Sequence, residues 1–287
     1  MSEFSRGENQ LAPYEVLSAG SELLNHFDIN VNPISQREQF LESIKQVDPR
    51  FQGDRNQVRW ELEADQTEWP AFTKEIIMRA AENMRMLHYQ TPLIGHYDAV
   101  IALGGARQSN LDRTRYAVEC AKDQGYETTF KHLIVAGSGR KLNEQEQQAT
   151  ANYAPGAQTE FDLCVAAASV VAQENPGLIT SVSYTDQERA GTPDIIETVL
   201  TSLQKSDQAI YGESTIAAIT TQIYQVSTDM DLRRIAKNFG IPNIYVAGNP
   251  SDPEIIAKRT PATYLTEVIR TLRAASLAAE PVTGLAE

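Results

Sequence analysis

The stretch Tyr97-Asp-Ala-Val-Ile-Ala-Leu103, followed at once by Gly104-Gly105, decides the fold. It is a short apolar run without charge after Asp98, and it stops at residues that permit a tight turn. A run of this kind is the signature of a strand buried on both faces. Four more follow: His132-Leu-Ile-Val-Ala136 before Gly137-Ser-Gly139-Arg140, Leu178-Ile-Thr-Ser-Val-Ser-Tyr184, Thr215-Ile-Ala-Ala-Ile-Thr-Thr221, and Asn243-Ile-Tyr-Val-Ala247 before Gly248-Asn-Pro. Between them lie helical stretches at Arg113–Gln124, Thr159–Gln173, Asp194–Lys205 and Asp229–Phe239. Strands that alternate with helices form βαβ units, so the reading is an α/β domain with a mainly parallel sheet and helices on both faces. Gly240-Ile-Pro242 marks a helix-to-strand join.

Residues 1–92 read as a helical N-terminal segment. Leu17, Leu23, Leu24 and Phe27 suggest one helix, Phe40, Leu41 and Ile44 a second after Asn32-Pro33, and Phe72, Ile76, Ile77 and Met84 a third that opens at Trp69-Pro70. The α/β domain is expected over 93–277. The amphipathic stretch Tyr264–Leu272 is expected to cover a sheet face, and 278–287 to form a tail.

Composition narrows the function. With 41% hydrophobic and 22% charged residues the chain is an ordinary globular one. Its net charge of -13 repels phosphate backbones and anionic lipid, so neither nucleic acid nor a membrane surface is expected as partner. A small-molecule ligand is. The first ten residues have no apolar core of a signal peptide, and no run nears the ~20 apolar residues of a membrane span. Cys120 and Cys164 lie in apolar helical context and read as buried thiols in a reducing compartment, hence a cytoplasmic protein.

In an open parallel sheet the ligand crevice lies beyond the carboxyl ends of the strands. Four loops follow those ends. Gly104, Gly105, Arg107, Asn110 and Arg113 make the first, where glycines admit a close ligand and arginines supply a two-donor clamp. Gly137, Ser138, Gly139 and Arg140 repeat that chemistry on the next strand. The third holds Glu188, a candidate acid/base or hydroxyl-binding carboxylate, and Thr192, read as a helix cap before Pro193. Thr220, Thr221 and Gln222 form the fourth, with uncharged hydrogen-bonding groups. Each loop also has a plain structural reading as a turn. The run Lys141–Gln148, with Glu144 and Glu146, reads as a solvated excursion. The histidines His26, His88, His96 and His132 fall in the N-terminal segment or at strand starts, and no zinc, GxSxG, GxGxxG or Walker A pattern occurs, so no metal site is expected.

The order of these motifs resembles the YdcF-like family (SanA/ElyC, domain of unknown function 218). The resemblance rests on Leu103-Gly-Gly105, Arg115-Tyr-Ala117, Ala136-Gly-Ser-Gly139, Thr159-Glu160, Glu188 with Gly191-Thr192, and Thr220-Thr221. It spans roughly residues 97–248. The histidine that follows the last motif in the family is absent here, Tyr224 stands nearest to it, and Arg233-Arg234 come late. The resemblance implies a Rossmann-like three-layer α/β/α fold, and adds Glu160 to Glu188 as a polar or acid/base group. Some relatives are membrane-anchored. The soluble kind, which this chain resembles, is associated with S-adenosylmethionine binding. The expected function is a small-molecule enzyme or cofactor-binding protein with a nucleotide-like or anionic ligand at the glycine-rich strand ends. The alternative is a non-catalytic interaction protein that works through its N-terminal helices.

Overall fold

Strands that are apolar on both sides need cover on both sides, and the structure supplies it. A computed structural model describes residues 10–48, 69–87, 93–105, 107–122, 128–178, 180–186, 191–205, 213–251 and 253–279. The five expected strands are present: β1 Gly95–Leu103, β2 Thr128–Ser138, β3 Thr180–Thr185, β4 Thr215–Thr221 and β5 Asn243–Asn249. They form one sheet in the order β3-β2-β1-β4-β5, and every neighbouring pair is parallel. The strand order reverses between β1 and β4, which makes that junction the topological switch point.

Among the described residues, five α-helices follow the strands in this part of the chain: α5 Ser109–Lys122 after β1, α6 Glu144–Thr150 and α7 Glu160–Glu174 after β2, α8 Thr192–Lys205 after β3, and α9 Gln225–Asn238 after β4. The strand residues alternate between two cores. Ala99, Ile101, Leu103, Ile134, Ile216 and Val246 meet Ile196, Leu200, Leu232 and Ile235 of α8 and α9. Val100, Ala102, Leu133, Ala217 and Ala247 meet Leu111, Ala117, Ala167 and Val171 of α5 and α7. The result is a Rossmann-like α/β/α sandwich. Gly240, with φ +67, makes the expected turn from α9 into β5.

By packing, the chain divides into two units, Gln90–Pro250 and Met1–Tyr89 with Ser251–Glu287. The second contains α1 Pro13–Ala19, α2 Ser21–His26, α3 Arg37–Val47, α4 Ala71–Asn83, α10 Pro253–Ala257 and α11 Pro261–Ala278. The single helix expected around Leu17–Phe27 breaks at Gly20, where an added Cβ would stand 2.6 Å from Leu272 Cδ2 and 2.9 Å from Met84 Cε. The helix expected to cover the sheet, α11, packs with α1, α3 and α4 in the helical unit. The α/β unit therefore closes at Pro250, not near 277. Amphipathicity shows that a helix has a face to bury and does not say against what. Among the described residues no helix is long and apolar enough to cross a membrane.

Candidate functional site

Parallel register places the first two loops side by side. Leu103 pairs with Ala136, and the Gly104 N–H donates to the Ala136 carbonyl. In the first loop, Asn110 is buried and binds Gly105 twice: its Oδ1 accepts from the Gly105 N–H at 3.0 Å, and its Nδ2 donates to the Gly105 carbonyl. Tyr153 Oη donates to the Arg107 carbonyl at 2.9 Å. Arg107 takes a left-handed φ of +56, unusual for a residue with a side chain.

Arg113 is placed differently from a ligand clamp. It is buried, its Nη1 donates to the carbonyls of Leu103 and Gly104, and its Nε and Nη2 donate to Thr221 Oγ1 at 3.2 and 2.9 Å. The guanidinium therefore spans the ends of β1 and β4 and braces the switch point. A fork of five donors suits that task, since one side chain satisfies acceptors on two strands.

The second loop is held by a local antiparallel bridge between Lys141 and Thr159, with the Glu160 N–H donating to the Arg140 carbonyl at 2.9 Å. Thr159 caps α7, and its Oγ1 accepts from the Asp162 N–H while the Asp162 carboxylate accepts from the Thr159 N–H. This fixes Glu160 in the first turn with its carboxylate turned inward. Glu160 Oε2 accepts from Ser138 Oγ at 3.1 Å and lies 3.5 Å from Arg140 Nε. Arg140 forks onto Glu146 at 3.0 and 2.9 Å. Side-chain exposure is 33% for Arg140, 1% for Glu146 and 8% for Glu160. Burial works against the Arg140 charge, but the hydrogen bonds and charges of Glu146 and Glu160 outweigh it and raise its pKa. Arg140 is thus the counter-ion of two buried carboxylates, not an exposed clamp.

Glu146 corrects the reading of 141–148 as a solvated excursion. It closes a capping box on α6, accepting from the Asn143 N–H at 3.0 Å while Asn143 Oδ1 accepts from its own N–H at 2.9 Å. The spacing Asn143-x-x-Glu146 was a readable cap signal.

The glycines answer to protein atoms. A Cβ on Gly104 would stand 2.5 Å from Glu160 Oε1, one on Gly137 2.6 Å from Cys164 Sγ, and one on Gly139 2.8 Å from Tyr184 Oη. On Gly105 it would meet Ser109 Cβ and Arg113 Nη1, both at 3.2 Å. Cys164 and Cys120 are buried thiols outside any disulfide. Burial, with the Glu160 charge adding and Arg113 opposing, pushes the Cys164 thiol pKa up, so it stays protonated.

In the third loop, Glu188 lies outside the described residues. Thr192 is the first residue of α8, and the Gly191 N–H donates to Asp194 Oδ2 at 2.7 Å. In the fourth, Thr220 and Gln222 are buried and Thr221 takes the Arg113 fork. Arg233 pairs with Asp229 at 2.9 Å within α9; burial raises the Asp229 pKa and Arg233 opposes it. His132 bonds Ser181 Oγ at 2.8 Å, and burial lowers its pKa. Among the described residues no group of three or more His, Cys, Asp or Glu is arranged to hold a metal ion.

Gly104, Gly105, Asn110, Arg113, Gly137, Ser138, Glu160 and Thr221 are therefore joined by contacts at the ends of β1, β2 and β4. Arg140 joins them through Glu160.

Comparison with known proteins adds a partial similarity. The chain is similar to uncharacterized proteins of Mycobacterium bovis and of two strains of Mycobacterium tuberculosis, each 37% identical over 99 residues. That match covers 34% of this chain and 27% of each mycobacterial protein. No protein-family model matches the chain, and no solved structure matches it.

Proposed function

We propose that the chain binds a small polar or anionic ligand, nucleotide-like in size and with S-adenosylmethionine among the candidates, at the carboxyl ends of β1, β2 and β4. The observation that carries this reading is the one-sided placement of buried polar side chains. Asn110, Arg113, Ser138, Glu160, Thr220 and Gln222 are each at most 6% exposed, and all lie at the same end of the sheet. An apolar core would pack at lower desolvation cost, so a polar cluster at the switch point is better explained by a ligand there. The YdcF resemblance points to the same edge.

In this reading Arg113 and Arg140 organise the site from within. Arg107, half-buried in the strained first loop, is the arginine assigned to the ligand, and Glu160 reads a hydroxyl or amine. A thermal-shift screen over nucleotides, S-adenosylmethionine and simple anions tests it. A ligand at about 100 times its Kd should stabilise the protein by about 2.7 kcal/mol. Arg107→Ala should then weaken binding roughly ten- to a hundredfold, one charge-assisted hydrogen bond. A hit whose affinity Arg107→Ala and Glu160→Gln both leave intact binds elsewhere and refutes the reading.

A further inference from the structure

The outer edge of the sheet at β3 has a surface that the ligand site does not use. Among the described residues β3 pairs with β2 on one side and has no strand on the other. Edge strands are normally protected by charge, proline or a bulge. Thr180-Ser-Val-Ser-Tyr-Thr185 contains no charge and no proline. Beside it, α7 carries no charge from Leu163 to Gln173, in a chain of net charge -13. Phe161, Val165, Ala168 and Ala172 recur at helical spacing on one side of α7. Ala168 packs toward Val182, and the Phe161 ring lies against that of Tyr184, tilted by 52° with centroids 4.7 Å apart. Val165 and Tyr184 are 44% and 41% exposed. Strand edge and helix flank thus adjoin, with no charge in Thr180–Thr185 or in Leu163–Gln173.

We propose that this surface is the interface with a second copy of the chain, with the two β3 strands antiparallel across a two-fold axis at Val182. Two arguments select this occupant. In a chain of net charge -13, two copies meet with least like-charge repulsion through an uncharged patch, and the six residues of β3 offer a basic partner no acidic group. The edge is also self-complementary. A dyad at Val182 sets Val182 against Val182, Thr180 against Tyr184, and Ser181 against Ser183. Asp186 then falls opposite Leu178, so no like charges meet. Such an axis, perpendicular to the sheet, keeps both copies of α7 on one face and gives an isologous, closed contact. A strand pair alone falls short of the roughly 1,200–2,000 Å² of a stable interface; the α7 flank supplies the rest.

Sedimentation velocity on the full chain, up to roughly 0.1 mM, tests the proposal. Wild type should approach twice the monomer mass. Val165→Glu, at an exposed position, should weaken association at least tenfold with the circular dichroism spectrum and Tm unchanged. Two double variants test the register: Ser181→Lys with Ser183→Lys sets lysine against lysine and should abolish association, while Ser181→Glu with Ser183→Lys sets opposite charges together and should keep it. A wild type that stays monomeric, or association that survives Val165→Glu, overturns the proposal. Equal behaviour of the two serine pairs overturns the antiparallel register.

Discussion

The loops after β1 and β2 look alike in sequence, each with small residues at a strand end and arginine beyond, Arg107 and Arg113 in the first and Arg140 in the second, yet the protein uses Arg113 and Arg140 in opposite ways. Arg113 answers neutral acceptors, two carbonyls and a hydroxyl, and ties β1 to β4. Arg140 answers two carboxylates, one from α6 and one from α7, and closes the second loop onto them. The same residue type is a brace in one loop and a counter-ion in the other.

The sharpest way to break this comparison is to remove each arginine. Arg140→Ala leaves Glu146 and Glu160 buried beside each other without their counter-ion, and should cost about 3–5 kcal/mol, nearer the lower value because a third of the side chain reaches solvent. Arg113→Met should cost less, about 2–3 kcal/mol, since it strips charge-assisted bonds from neutral acceptors and leaves no charge behind. Urea unfolding of both variants ranks them, and the reverse order would undo the distinction.

The glycines sharpen it further. Gly137→Ala should destabilise by about 1–3 kcal/mol through overpacking against Cys164. Adding Cys164→Ala should recover most of that loss, a coupling that a ligand-driven glycine would not show. At Gly104, where the obstacles include the Ala136 carbonyl of the backbone, no single side-chain truncation should restore stability.

A smaller effect lies at the opposite end of the sheet. Asp98 accepts from Lys131 of β2 and from the Thr215 N–H of β4, and its pKa is lowered chiefly by the Lys131 hydrogen bond, with burial opposing. A depressed carboxylate pKa gives stability that is present above the unfolded value near 3.9 and lost as pH falls through the folded one. Asp98→Asn should therefore cost about 1 kcal/mol or less at pH 7 and nothing once Asp98 is protonated. A deficit that persists at low pH would mean that the carboxylate charge is not its source.

Much of the sandwich was legible because parallel strands covered on both faces leave short apolar runs, and five such runs became five parallel strands. The location of the loops followed from the strand ends. The partners of the arginines did not, because they depend on which helix start folds back on which loop: Arg140 meets Glu146 six residues on, but meets Glu160 only through the Lys141–Thr159 bridge. Glu146 hid in a polar run, although its distance from Asn143 announced a cap. The α11 packing surface was illegible for a similar reason, since its apolar face fits helices as well as a sheet.

The account turns on Arg140, and a double-mutant cycle between Arg140→Ala and Glu146→Gln, read by urea unfolding at pH 7, tests it most directly. It predicts a large loss for Arg140→Ala that Glu146→Gln partly restores, with a coupling energy of about 2 kcal/mol or more. Arg140→Ala at wild-type stability, with zero coupling, would contradict it and return that arginine to solvent and ligand.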